Sequence, residues 1–308
     1  MPHSSHFLSA ESVLANKGKS FYWARRLLGA VHSTRTTRLY RLCRYVDDLA
    51  DEEHSVQVST QNLLDAKKAL MSGHSDNEVL LDGLRLLNEC AIDKEIALDL
   101  VAGVTSDTQL VRLENDDALI RYCYQVAGTV GLMMCKALDT HEEPAYGFAI
   151  DLGIAMQITN ICRDVQVDAL VDRRYIPASL VGDLEPTALI VPDKELEPRV
   201  KTALENLLNC AEKYYASGER GLSYLPLEAR LSILVAARVY REIGRKLKKK
   251  DYEYWHERIV VSKARKVVIT LQCIAAMLTT SHFWARAQPV EPVFRRTCSG
   301  KSQAQSES

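Results

Sequence analysis

Two carboxylate pairs, each spaced four residues apart, are the features of this chain best able to do chemistry. Asp164 and Asp168 close the stretch that begins at Asp151, in which Gln157, Asn160, Asp164 and Asp168 recur in steps of three and four through otherwise apolar residues. Asp47 and Asp51 lie in the segment Arg44-Tyr-Val-Asp47-Asp48-Leu-Ala-Asp51. On a helix such steps put neighbours on one face, with Cβ atoms roughly 5–6 Å apart, and like charges so placed repel unless a cation sits between them. A solvated helix has a broad polar face, not one thread of amides and carboxylates. The first stretch therefore reads as a buried helix whose thread faces a cavity, although a repeating surface patch fits that stretch alone about equally well. The second acidic site changes the balance. If two such helices face each other, at least four carboxylates line one cavity, and buried carboxylates need compensating charge. Their hard oxygens, with the amide oxygen of Asn160, suit Mg²⁺ rather than zinc. Such an array can hold several Mg²⁺ ions and through them a diphosphate, so that a C–O bond ionises without a strong protein acid.

Helices must carry these groups. The chain has 308 residues, 47% hydrophobic and 26% charged, enough for one large core or two small ones. Its net charge of −1 gives no global field for nucleic acid. Long segments of 3.6-residue period dominate and strand-like alternation is scarce, so the fold is expected to be all-α. The pattern predicts a helix from Ala10. A second follows an N-cap at Ser33 or Thr34, with Leu39, Cys43, Val46 and Ala50 as its apolar stripe. Others are predicted over 77–90, 94–106, Asp116 to Leu138, 199–220, 228–250 and 262–288. Residues 1–9 are expected to be flexible, 10–288 to form the domain and 289–308 a disordered tail. Residues 178–198, with Pro186, Pro192 and Pro198, read as an irregular connection.

Other patterns bound the function. Gly18-Lys19-Ser20 is not a phosphate-binding loop, because Val13 stands where that motif needs glycine. Phe21, Tyr22 and Trp23 read as core packing. Gly128 and Gly131 fit close helix packing, a smooth wall for a long apolar substrate, or both. Arg173 and Arg174, just beyond the acidic cluster, could close over a diphosphate. The basic run Arg245–Lys250 reads first as a solvated helix terminus that offsets the helix dipole, and more sharply as a membrane-surface contact. Eight cysteines without a C-x-x-C pair read as buried free thiols in a reducing cytosol. The N-terminus shows no secretory signal, and the apolar stretch from Val267 to Thr279 is too short to span a bilayer.

Seven pieces in order make the chain resemble the squalene/phytoene synthase family, from about Ser20 to about Lys266. They are Ser20-Phe21; Arg44-x-x-Asp47-Asp48-x-x-Asp51; Tyr122-x-x-x-Val-Ala-Gly-Thr-Val-Gly131; Gln157-x-x-Asn160-x-x-Arg163-Asp164-x-x-x-Asp168; Arg173-x-Tyr175-Ile-Pro177; Tyr214-Tyr215-x-x-Gly218-x-x-Gly221-Leu; and Val261-Ser-x-x-Arg265-Lys266. The resemblance implies the class I isoprenoid synthase fold, a single helical bundle around a central cavity. It also implies head-to-head joining of two allylic prenyl diphosphates. On that basis Asp47, Asp51, Asn160, Asp164 and Asp168 would hold Mg²⁺ (or Mn²⁺) and the diphosphates, and Arg44, Arg173 and Arg265 would contact phosphate. Ser20, Phe21, Asp48 and Gln157 would meet substrate, and Val126, Ala127, Gly128 and Gly131 would wall the chains. Tyr122, and more weakly Tyr124, would handle protons or cations. Within the family the chain is most like a bacterial phytoene synthase, acting on geranylgeranyl diphosphate in carotenoid biosynthesis and needing no NADPH. A dehydrosqualene, squalene or presqualene diphosphate synthase using farnesyl diphosphate is the alternative. A chain-elongating synthase or terpene cyclase fits the Tyr122 segment and the paired D-x-x-x-D spacing less well, and an all-α scaffold is the non-enzymatic alternative. A cytoplasmic protein is expected, with peripheral contact at the inner face of the membrane as a corollary of a lipid-soluble product. Two positions depart from the family pattern: Asp172, where glycine is frequent, and Val165-Gln166-Val167, where an acidic residue is common.

Overall fold

The long apolar stretch ending at Asp168 forms the central helix. The computed structural model describes residues 10–51, 55–279, 281–284 and 291–294. Their order is α1 (Ala10–Lys17), α2 (Lys19–Arg25), α3 (Ala30–Asp51), α4 (Val56–Ser72), α5 (Glu78–Glu89), α6 (Lys94–Ser106), α7 (Asp116–Cys123), a π-turn (Tyr124–Gly128), α8 (Thr129–Ala137), α9 (Glu143–Leu170), α10 (Ala178–Val181), α11 (Glu197–Arg220), α12 (Leu227–Lys249), α13 (Lys263–Thr279) and α14 (Ser281–Trp284). Among the described residues there is no strand, only an isolated bridge between Arg112 and Arg174. None of these helices is long and apolar enough to cross a membrane. Local chemistry sets several boundaries. Ser55, Asn77, Asp93 and Asn115 each accept a backbone amide of the following first turn, and Gly73 ends α4 at φ 75°.

Two apolar cores share the work. One gathers α9, α11 and α12 around Ile154, Ile158, Tyr215, Val235 and Val239. The other gathers α3 to α6 around Leu39, Leu63, Leu86 and Val101. Val126 and Met134 pack against both, which puts the π-turn and α8 at the seam. Helix α9 packs against α8, α11 and α12. It comes close enough to α8 and the π-turn to leave no room for a side chain. A Cβ on Gly131 would lie 2.2 Å from the Ala149 carbonyl oxygen, and one on Gly153 the same distance from that of Ala127.

The structure departs from the expected pattern in three places. Helix α3 starts at Ala30, so Ser33 and Thr34 lie inside it; the Thr34 and Thr37 hydroxyls donate back to the carbonyls of Ala30 and Ser33. The helix expected from Asp116 to Leu138 is interrupted by the π-turn, whose extra residue lies where Gly103 of α6 crowds Gln125 and Val126. The last long helix is described from Lys263 to Thr279. Within the expected disordered tail, residues 291–294 are docked: the Val293 and Phe294 amides donate to the buried Asp151 carboxylate at 2.8 and 2.9 Å, and the Ser217 hydroxyl donates to it as well. Residues 1–9, and Cys298 with the rest of the tail after 294, lie outside the described residues. The other seven cysteines are free thiols.

Gly153→Ala should therefore destabilise the protein by about 1–3 kcal/mol or more, because two backbones must separate to admit one methyl group. Urea unfolding checks this, and an unchanged midpoint would show that the seam is not tightly packed.

Candidate active site

Between the two cores lies a cavity of about 1250 Å³. Ordinary small-molecule pockets are roughly 300–1,000 Å³, so this one suits a large ligand or two smaller ones. Helix α9 lines it from Ala145 to Asp164, about 28 Å at the rise of an α-helix. The wall is apolar toward Ala145, Phe148 and Leu152 and becomes polar at Gln157, Asn160, Arg163 and Asp164. Helix α3 does the same, running from Leu39 to Arg44 and Asp47. Phe21 of α2 bridges the two helical systems, with its ring 6.1 Å from Tyr40 of α3 and 5.2 Å from Tyr240 of α12.

Each acidic array is held by arginine. Arg44 donates to Asp47 at 2.8 Å and also to Asp48. Asp164 is gripped by Arg163, which donates from Nε at 2.9 Å, and by Arg258 at 3.0 and 3.3 Å. Burial works to raise the Asp164 pKa, but the two guanidiniums hold it below the usual carboxylate range. Asp168, one turn on, goes the other way. Burial and the neighbouring Asp164 charge push it up to about 8, against the pull of Arg173. Asn160 contributes an amide whose Nδ2 points to Gln157 at 3.4 Å, while its Oδ1 is buried without a partner. The orphaned carbonyl oxygen of Asn160 and the Asp164 carboxylate one turn on are hard oxygen donors of the kind a divalent cation would satisfy. Among the described residues no three carboxylate, histidine or cysteine side chains form a complete cage, so a cation here would need further oxygens from a ligand.

Tyr122 stands on the cavity wall and is nearly buried. Its hydroxyl donates to Asp107 at 2.9 Å; the Tyr175 hydroxyl donates to the other oxygen of Asp107 at 2.7 Å, and the two rings stack at 4.8 Å. Burial, and then the Asp107 charge, raise the Tyr122 pKa well above that of a free phenol.

Of the expected site residues, the cavity wall gathers Ser20, Phe21, Arg44, Asp47, Tyr122 and Val126, together with Ala127, Gly131, Gln157, Asn160 and Asp164. Others stand elsewhere. Asp48 and Asp168 are not among the lining residues but adjoin Arg44 and Asp164 respectively, which are. The Asp51 side chain is outside the described residues, although its backbone is the last described in α3. Gly128 lies against Tyr124 and Ile150. Tyr124 faces away from the cavity, stacked on Phe294 and 3.4 Å from Asp99. Arg265 is paired with the buried Glu242 at 2.7 and 3.1 Å. Arg173 sits beside Asp168, its amide on the Asp168 carbonyl. Arg174 is a buried structural anchor, bonded to the carbonyls of Leu184, Leu113 and Ile176 and to Asp183, and is not placed to meet a ligand. Asp107 and Arg258 join the site without having been singled out from the sequence. Arg163 could have been, since it falls three residues after Asn160 on the same face.

With this geometry in view, a sequence model described as squalene/phytoene synthase matches residues 14–265. The chain belongs to the squalene/phytoene synthase family. As a member of that family it is an enzyme of prenyl-transferring type. It is 32% identical over 274 residues to a phytoene synthase of Pseudescherichia vulneris, covering 85% of this chain and 89% of that one. It is 31% identical over 295 residues to a 15-cis-phytoene synthase of Pantoea ananas, covering 92% and 94%. Among solved structures, a dehydrosqualene synthase in complex with ligand superimposes with a TM-score of 0.74 at 25% identity, covering 88% of this chain and 96% of that one. A squalene synthase from Alicyclobacillus acidocaldarius, at 15% identity and a TM-score of 0.68 over 79% and 93%, shares the fold. The helical isoprenoid synthase fold expected for the family is the fold observed.

Two outcomes follow from the charges. The raised pKa of Asp168 means that the native state binds more protons than the unfolded chain between about pH 4, the usual carboxylate value, and about pH 8. That contribution to stability is full below about pH 4 and is lost as pH rises through about 8. In EDTA the urea midpoint should carry this loss, Asp168→Asn should remove it, and Mg²⁺ should replace the proton; an equal slope in the variant would contradict the assignment. Asp107→Ala should cost about 1–3 kcal/mol for each of the two phenols it strands, more than either Tyr122→Phe or Tyr175→Phe, as read by urea unfolding.

Proposed function

We propose that this protein joins two molecules of geranylgeranyl diphosphate head to head to give phytoene, releasing two diphosphates. The observation that carries this reading is the large cavity whose long apolar wall gives way to two acid–arginine arrays, Arg44 with Asp47 and Arg163 and Arg258 with Asp164. A prenyl chain fits the apolar length, and a diphosphate fits the charged end. The likeness to phytoene synthases at 31–32% identity favours the twenty-carbon substrate.

The residues divide the work. Arg44, Arg163 and Arg258, now spent on Asp47, Asp48 and Asp164, can turn to phosphate oxygens once a cation takes over the carboxylates. Asp47, Asn160, Asp164 and Asp168 would hold Mg²⁺, which when bound supplies positive charge to the departing diphosphate. The C–O bond of the first substrate breaks with its electron pair on oxygen. The double bond of the second attacks the allylic carbon, and loss of one proton closes a cyclopropylcarbinyl diphosphate. Loss of the second diphosphate starts the rearrangement, and loss of a second proton leaves the central double bond. Tyr122 is placed to assist these losses. Its hydroxyl donates to Asp107, so it could take a proton as its own passes to Asp107. Val126, Ala127 and Gly131 keep water from the cations.

The test is a product assay with Mg²⁺, without NADPH, offering geranylgeranyl and farnesyl diphosphate separately. Phytoene from the first is expected, EDTA should abolish it, and Asp164→Asn should lower the rate by about 10²-fold or more. A thirty-carbon product from farnesyl diphosphate with no phytoene would overturn the substrate, and no diphosphate release from either would overturn the reaction.

A further inference from the structure

Helix α13 presents an apolar face that nothing described covers. Val267, Val268, Leu271, Ile274 and Leu278 are all exposed, Leu271 by 61% and Leu278 by 72%. At 100° per residue they fall within an arc of about 120°. Ile269 and Cys273, on the opposite side, are buried against the bundle. From Val267 to Thr279 there is no charged residue. Single exposed apolar residues are ordinary, but an unbroken stripe along a helix marks a contact surface.

What surrounds the stripe indicates its partner. At the N-terminal end of α13, Lys263 is exposed, and so are Arg258 and Val260 in the connection before it. The end of α12 lies alongside, with the Lys246 amine donating to the Val260 carbonyl and Arg245 and Lys249 exposed. The rim is thus basic. Arg258, Val260 and Lys263 also line the cavity, so the apolar stripe begins at its mouth. A second copy of this chain would bring the same cations to the contact. Residues 291–294 are committed to Asp151 and Tyr124 and do not reach this face.

We propose that the Val267–Leu278 face of α13 and the basic rim at its N-terminal end seat the protein on an anionic lipid surface, with the cavity mouth at the interface. Helix α13 then lies in the plane of the interface with its apolar arc among the acyl chains, while Arg245, Lys249 and Lys263 meet the headgroups. A mouth at the lipid boundary lets a long apolar chain pass between bilayer and cavity without crossing water. That benefit rests on the function proposed above; the docking itself does not.

The test is flotation of the full chain with vesicles of phosphatidylglycerol and phosphatidylcholine, beside phosphatidylcholine alone. Binding to the anionic vesicles is expected, weakened by salt. L271Q/L278Q should lower it at least about tenfold. R245E/K249E should abolish the preference for anionic lipid. Diphosphate release from detergent-dispersed substrate should be unchanged in L271Q/L278Q, which separates loss of docking from loss of fold or catalysis. Equal flotation of wild type and L271Q/L278Q would overturn the proposal. So would absence of wild-type binding accompanied by a dimer in sedimentation that L271Q/L278Q dissociates, which would make the face an interface between copies.

Discussion

Carboxylates placed at the end of an apolar cavity must be neutralised, and the rest of the site follows from how that is done. In this protein arginine supplies the charge: Arg44 for Asp47 and Asp48, Arg163 and Arg258 for Asp164. Neutralisation is incomplete. Asp168 resists ionising, and the Asn160 carbonyl oxygen has no partner. A buried polar set left unsatisfied in this way costs stability and is kept where a ligand completes it. Divalent cations at these carboxylates would supply the missing charge and free the three guanidiniums, and a diphosphate is the ligand that could then receive them.

That arrangement constrains the scaffold. The arrays have to face each other across a space long enough for prenyl chains, so the bundle is built as two cores with a seam. Gly131 and Gly153 bring α8, the π-turn and α9 together on one side of the seam. The π-turn turns Val126 and Ala127 toward the cavity while Tyr124 points outward to Phe294. Asp107, Tyr122 and Tyr175 form a polar cluster that reaches the wall through Tyr122, and each of the three satisfies another.

The sequence disclosed what periodicity carries. Gln157, Asn160 and Asp164 of the thread, and Asp47 on α3, were legible as cavity-lining residues because helix geometry maps three- and four-residue steps onto one face. Arg258 was not, since it comes from the connection between α12 and α13, where no period applies. Asp107 was not, because a lone aspartate after a helix reads as a solvated terminus. The π-turn has no compositional mark. Arg265 carries the family motif, yet its guanidinium goes to Glu242, a pairing across two helices that spacing cannot reveal. Asp172 shows the reverse. It stands where glycine is frequent, and it sits at φ 60°, the left-handed region glycine favours, with its carboxylate held by Arg112.

Counting bound ligands tests the cavity most directly. Calorimetric titration of the protein with a geranylgeranyl thiolodiphosphate, which does not ionise, should give two molecules bound per chain in Mg²⁺ and little binding in EDTA. One molecule per chain, or binding that ignores Mg²⁺, would contradict a cavity that holds two prenyl diphosphates through cation-bridged carboxylates.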